Sequence, residues 1–282
     1  MDSVRTGHGV AAVVSRAVGG REALVTGPSL RSMPDRSARP RLVLVHGTRI
    51  DARQWEPYRA LLPQAEIVAP DLPGHGSRVG EEFTLEAAVA TIAAAVEGAA
   101  PGQRVVLAGH SLGGYMAMVH AAQHSDRLAA LVLVGATADP SGPLTAVYRG
   151  FAALVGRSDP ERLARRTNRM VRWLGAGDQV AEVLPGGEAY AALPAAWQAV
   201  MDACGPDLLR DVTCPVVLVN GQYDQMRLHV RQFAAAAPRA TVVTVPRATH
   251  LLPLTHPEEL ARILAGVLVP RGDPGPLPTM GA

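Results

Sequence analysis

Gly109-His110-Ser111-Leu112-Gly113-Gly114 stands between an apolar run, Arg104-Val105-Val106-Leu107-Ala108, and Tyr115-Met116-Ala117-Met118-Val119-His120, a stretch of good helix formers with no Gly or Pro. Strand, tight turn and helix follow from that order. A serine at the tip of such a turn has strained dihedrals that only small neighbours permit, so Gly109 and Gly113 give strand and helix room to approach. The result is an exposed hydroxyl. The first amides of the helix lack intrahelical partners and face any negative charge that develops on a substrate. In a chain with 28 Gly a G-x-S-x-G pentapeptide also arises by chance, so its weight comes from its flanks and from partners elsewhere.

Working outward, similar apolar runs occur at residues 41–47, 66–70, 128–135, 215–221 and 240–245, each short and bounded by turn residues. Residues 52–62, 83–99, 227–237 and 257–268 have helical patterning between them, with Thr84 as the N-cap of the second. Strand alternating with helix predicts a mostly parallel central sheet flanked by crossover helices, an α/β class. Runs that are apolar throughout, such as Leu42-Val43-Leu44-Val45, suit strands buried on both faces. The rhythm breaks at residues 139–211, helical in character and interrupted by Pro and Gly. This predicts core segments at 41–138 and 212–268 with a helical lid inserted as 139–211. Residues 1–40 read either as two edge strands or as a disordered leader, and 269–282, rich in Pro and Gly, as a disordered tail.

Composition narrows the chemistry. The 282 residues are 48% hydrophobic, enough for a sizeable core, and a formal charge of +2 gives no reason to expect a nucleic-acid partner. All 27 basic side chains are Arg. Without Lys there is no Schiff-base amine and no P-loop lysine, which excludes lysine-anchored pyridoxal chemistry and Walker-type nucleotide hydrolysis. Cys204 and Cys214 have neither metal-ligand nor C-x-x-C spacing and read as buried free thiols of a reducing compartment. Val10-Ala11-Ala12-Val13-Val14 is too short for a signal-peptide core and no run approaches membrane-spanning length, so a cytoplasmic, membrane-free protein is expected.

A serine hydroxyl is a poor nucleophile at neutral pH; it needs an imidazole to take its proton and a carboxylate to hold that imidazole in the right tautomer. Both belong beyond the carboxyl ends of parallel strands, where open sheets gather ligands. Asp224 lies four residues past the strand ending at Asn220. His250 follows the strand ending at Val245. Asp139, after the strand ending at Gly135, is the rival acid. His110 is expected to act through its backbone place in the turn, His256 to lie on the solvent side of the last helix, and Ser77 to be structural.

These features together resemble the α/β-hydrolase superfamily over residues 41–268. An H-G-x segment follows that family's first central strand, here His46-Gly47-Thr48, and a P-D-x-x-G-x-G-x-S turn resembles residues 70–77 with the final serine one position early. The family's histidine stands seven residues before a P-E pair, as His250 stands before Pro257-Glu258. The resemblance implies that the backbone amides of Thr48 and Leu112 form an oxyanion hole. Departures are Thr249, where Gly commonly precedes the histidine, and Thr48-Arg49, where relatives carry small or aromatic residues; Arg49 is assigned to the rim of the site.

The expected activity is a serine hydrolase acting on a carboxylic ester or related small acyl compound, with Ser111, Asp224 and His250 as triad and no metal or organic cofactor. Thioesters, lactones, carbon-carbon bonds and cofactor-free perhydrolysis are served by the same constellation, and a ligand-binding or lyase role by the same fold. In the lid, Arg162, Arg165, Arg166, Arg169 and Arg172 would share one helix face, a solvated basic face or a surface for an acidic carrier partner.

Overall fold

The computed structural model describes residues 39–140 and 187–269, with Asp159, Glu161, Arg162, Arg165 and Arg169 between those spans. The expectations for residues 1–38 and 270–282, and for most of the insertion, lie outside the described residues.

Among the described residues, six strands, β1 (Arg41–Val45), β2 (Glu66–Val68), β3 (Val105–His110), β4 (Ala130–Val134), β5 (Val216–Gly221) and β6 (Ala240–Val245), form one sheet in the order β2-β1-β3-β4-β5-β6. Every neighbouring pair is parallel. The α-helices whose full extent lies among the described residues are α1 (Glu56–Leu61), α2 (Leu85–Glu97), α3 (Leu112–His124), α4 (Leu193–Ala203), α5 (Val230–Ala236), α6 (Leu252–Thr255) and α7 (Pro257–Leu268). The α/β class with a parallel sheet flanked by helices is therefore observed.

Strand alternation explains the continuous apolar runs. Val43, Val45, Leu107, Leu131, Leu133 and Leu218 pack on one face against α2, α3 and α5, among them Ile92, Met116 and Phe233. Leu42, Leu44, Val106, Val132, Val217 and Val219 pack on the other against Trp55, Tyr58, Leu260 and Leu264. Both sets are buried, so no position of the central strands can be polar without cost. Each such side chain contributes about 1.5–3 kcal/mol by leaving water, and truncating a central one such as Leu107 to Ala would cost about 2–5 kcal/mol.

The sheet order reverses between β1 and β3, because the chain leaves β1 toward β2 and returns to the other side for β3. In register, Val45 of β1 lies opposite Gly109 of β3, and His110 opposite Val134 of β4. Their carboxyl ends thus rise together at a switch point, where parallel sheets open a crevice. The helices expected over 52–62, 83–99 and 227–237 are shorter than expected. Residues 52–55 form a 3-10 turn capped by Asp51, whose carboxylate accepts from the Arg53 amide at 2.9 Å, and α1 starts only ahead of Pro57. Thr84 does cap α2, accepting from Ala87 N at 3.1 Å.

Candidate active site

Ser111 occupies the turn between β3 and α3 with φ 51° and ψ −118°, a conformation costly for any residue with a Cβ. What permits it is the absence of side chains nearby. A Cβ on Gly109 would collide with the Gly113 carbonyl, and one on Gly113 would come within 2.5 Å of the carbonyl oxygens of Val45 and His46. The Ser111 amide donates to Val134 O at 2.8 Å, and Gly114 and Tyr115 donate back to Ser111 O at 2.9 and 3.1 Å. Leu112 and Gly113 are the first two residues of α3, whose amides point out of the helix start.

Asp224 lies in the turn after β5 and is buried. Its Oδ1 accepts from Met226 N at 2.8 Å and from His250 Nδ1 at 3.0 Å. Burial alone would raise the carboxyl pKa, but the His250 hydrogen bond, the imidazole charge and the Met226 amide together bring it below the ordinary value. Asp224 is therefore an ionised acceptor. That fixes the tautomer of His250: Nδ1 carries the proton, and Nε2 turns its lone pair to Ser111 Oγ, 3.0 Å away. The loop bearing His250 is stitched to the β5 turn by Tyr223 N to Ala248 O at 2.9 Å and by Arg247 N to Gln222 Oε1 at 2.9 Å.

The structure thus brings together Ser111, His250 and Asp224 from the ends of β3, β6 and β5. Asp139 is not the carboxylate on His250; its amide donates to His229 Nδ1 at 2.9 Å. Thr48 and Leu112 line the same small pocket as Ser111, along with Tyr115 and, from α4, Ala196, Trp197 and Val200. The open space there is about 10 Å³, at the lower limit for one water. Arg49 is half-buried, adopts φ 65° and places its guanidinium over the Tyr190 ring at 5.7 Å. Ser77 is tied to Asp71 Oδ2 through its amide at 2.8 Å and its hydroxyl at 2.7 Å, while Asp71 Oδ1 accepts from Ala52 N.

Two residues near Ser111, Asp224 and His250 carried no sequence signal. Gln54, fully buried, bridges Gly47 N and the His110 ring, and Gly135, after β4, adopts φ 59° beside Asp224 and His250. Both thiols are free and buried, which pushes Cys204 up to about 12 and Cys214 up to about 11. Of the arginine stripe, Arg162, Arg165 and Arg169 are helical and exposed, Arg165 pairing with Glu161 at 3.8 Å, and Arg166 and Arg172 lie outside the described residues. Among the described residues, no group of three or more His, Cys, Asp or Glu is placed to hold a metal ion, and no helix is long and apolar enough to cross a membrane.

Comparison with known proteins agrees with this architecture. The chain is 28% identical over 254 residues to a pimeloyl-[acyl-carrier protein] methyl ester esterase of Neisseria meningitidis, covering 83% of this chain and 77% of that one. It is 29% identical to the Aromatoleum aromaticum enzyme of the same name, covering 82% and 98%. A stretch of 95 residues, about a third of each chain, is 41% identical to lipase LipV of Mycobacterium tuberculosis. Among solved structures, a thermophilic esterase from Thermogutta terrifontis superposes with a TM-score of 0.68 at 26% identity, covering 81% of this chain and 89% of the other. The sequence pattern of the alpha/beta hydrolase family matches residues 42–263, and it is to that family that this chain belongs.

Proposed function

We propose that the protein is a serine hydrolase that cleaves a carboxylic ester through an acyl-enzyme on Ser111. The observation that carries this reading is the continuous line of two 3.0 Å hydrogen bonds from Asp224 Oδ1 through His250 to Ser111 Oγ. In the first half-reaction Ser111 Oγ bonds to the ester carbonyl carbon while its proton passes to His250 Nε2. The carbonyl oxygen gains the negative charge, and the amides of Thr48 and Leu112 hold it, each such donor being worth about 10²–10³-fold in rate. The carbon-oxygen bond to the alcohol then breaks, and His250 returns the proton to the departing oxygen. In the second half a water repeats the attack on the acyl group, gives its proton to His250, and releases the acid and Ser111 Oγ–H.

Ester cleavage is the reading supported by the names of the two relatives that match over most of this chain, both methyl ester esterases. The wall beside Ser111 formed by Leu112, Ala196, Trp197 and Val200 is apolar. Because the Neisseria meningitidis and Aromatoleum aromaticum relatives are named for an ester borne by an acyl-carrier protein, an acidic carrier at Arg162, Arg165 and Arg169 is the partner reading. Charge reversal of Arg162 and Arg169 to Glu should then slow a carrier-bound ester and leave a free ester unchanged; equal rates on both remove the carrier.

The test of the chemistry is labelling by a fluorophosphonate probe together with hydrolysis of a panel of p-nitrophenyl esters. The wild-type chain should label and turn over, and Ser111→Ala should do neither. Labelling that survives Ser111→Ala would refute the nucleophile.

A further inference from the structure

His110, next to the nucleophile, has an imidazole that the mechanism above does not use. It is buried, and its ring sits 5.0 Å from that of His250 at an interplanar angle of 41°. Its Nε2 is 2.9 Å from the carbonyl oxygen of His250. A carbonyl only accepts, so Nε2 carries the proton, and Nδ1 must then accept. Gln54 supplies the matching donor. Its Oε1 accepts from Gly47 N at 3.2 Å, which turns its Nε2–H₂ toward His110 Nδ1, also at 3.2 Å. Burial, and next the charge of His250, hold His110 down at about 3, so the ring is neutral wherever His250 works as a base.

The three bonds run in one direction, from Gly47 N–H through Gln54 and His110 to the His250 carbonyl. They join the loop bearing Thr48, the serine turn and the histidine loop. His250 sits in an irregular connection between β6 and α6, where no ladder fixes its peptide. The His110 Nε2–H donates to its carbonyl.

We infer that His110 is a positioning residue whose neutral Nε2–H sets the main chain of His250, and so the reach of its imidazole to Ser111, while Gln54 selects the tautomer that makes this possible. The inference rests on the serine-hydrolase reading. A ring displaced by 1 Å can cost about 10²-fold in rate. Loss of the donor therefore lowers kcat with little change in KM, because His110 is not among the residues lining the Ser111 pocket.

The experiment measures kcat, KM and Tm for p-nitrophenyl butyrate hydrolysis in wild type, Ser111→Ala, His110→Met, His110→Gln, Gln54→Leu and the double variant His110→Met with Gln54→Leu. His110→Met should lower kcat by about 10–100-fold with KM within about 3-fold. His110→Gln, which keeps an N–H near the Nε2 position, should recover most of that loss. Gln54→Leu should lower kcat less than His110→Met, and the double variant should be no slower than His110→Met alone, since Gln54 acts through His110. Full kcat in His110→Met, equal losses in the Met and Gln variants at matched Tm, or additive losses in the double variant would each overturn the inference. If His110→Met does not fold, the decision passes to Gln54→Leu, whose unchanged kcat would overturn it. Activity surviving Ser111→Ala would instead refute the hydrolase reading itself, so the two failures are distinct.

Discussion

Gly135→Ala offers a direct perturbation of the Asp224–His250 pair, because it touches neither residue chemically. Gly135 follows β4 with φ 59°, and its amide donates to Val219 O at 2.9 Å, so the backbone cannot rotate away without losing that bond. A Cβ there would lie 2.9 Å from Asp224 Oδ2, 3.0 Å from His250 Nδ1 and 3.1 Å from His250 Cε1. Two costs add. The left-handed backbone costs an L-residue about 1–2 kcal/mol, and overpacking a filled site typically costs about 1–3 kcal/mol. A total near 3 kcal/mol lowers Tm by about 6–12 °C in a domain of this size.

The kinetic effect has a separate origin. Carbon contacts relax near 3.5 Å, so the methyl pushes the carboxylate or the ring by roughly 0.5 Å. A shift of that size in a reacting pair corresponds to about a 10-fold loss of kcat, with KM held because the substitution changes none of the residues lining the Ser111 pocket, Thr48, Leu112, Trp197 and Val200 among them. Thermal unfolding and steady-state ester hydrolysis on one preparation read both numbers. A variant with the expected drop in Tm but a kcat within 2-fold of wild type would refute the claim that the spacing of this pair governs turnover.

Asp224→Asn should keep the fold and lower kcat by about 10³–10⁴-fold, because an amide facing Nδ1 stabilises the wrong tautomer of His250; a kcat within 10-fold of wild type would move the acid elsewhere. Thr48→Val should raise Tm by about 2–4 °C, since it deletes a buried hydroxyl that has no partner and so relieves about 1 kcal/mol; a lower Tm would show that the hydroxyl is satisfied in solution. Stability should fall on mild acidification. His46 is held at about 4, by burial first and then by His75, and His110 at about 3, so the unfolded chain takes up their protons first. Their contribution is complete above about pH 6.5 and erodes below it, by at most about 1.4 kcal/mol per pH unit for each ring. Asp224, whose pKa is depressed, keeps its contribution until the pH falls below the ordinary carboxylate range. A denaturation midpoint unchanged between pH 7 and pH 5 would contradict this assignment.

Much of this architecture was legible because its signals are local. The β6 and α7 bounds at residues 240–245 and 257–268 coincide with the runs read from the sequence, since a short apolar run and a proline-started amphipathic stretch each carry their own limits. Ser111, Asp224 and His250 were named because each follows the carboxyl end of a recognisable strand. The 227–237 helix was not legible in full. Asp224 accepts from Met226 N and closes a separate 3-10 turn at Gln225–Arg227, so α5 begins only at Val230. Gln54 and Gly135 were invisible for another reason. The contacts that tie them to the site, with His110 and with Asp224 and His250, lie 56 and at least 89 positions away, and only the strand order brings those positions together.

That strand order also accounts for where the backbone is strained. Among the described residues other than glycine, those with positive φ are Arg49, Ser111 and Arg247. They sit in the loops that follow β1, β3 and β6, the loops that carry Thr48, Ser111 and His250. Each such residue costs of order 1–3 kcal/mol and persists only where its surroundings over-determine it. Here the surroundings are specific: Arg49 is held on Tyr190, Ser111 by the Val134 carbonyl, and Arg247 by Gln222. Gln222 belongs to the turn that also carries Asp224. Relaxing Arg247 would therefore loosen both ends of the Asp224–His250 bond together, which makes the strained loop and the carboxylate turn one mechanical unit.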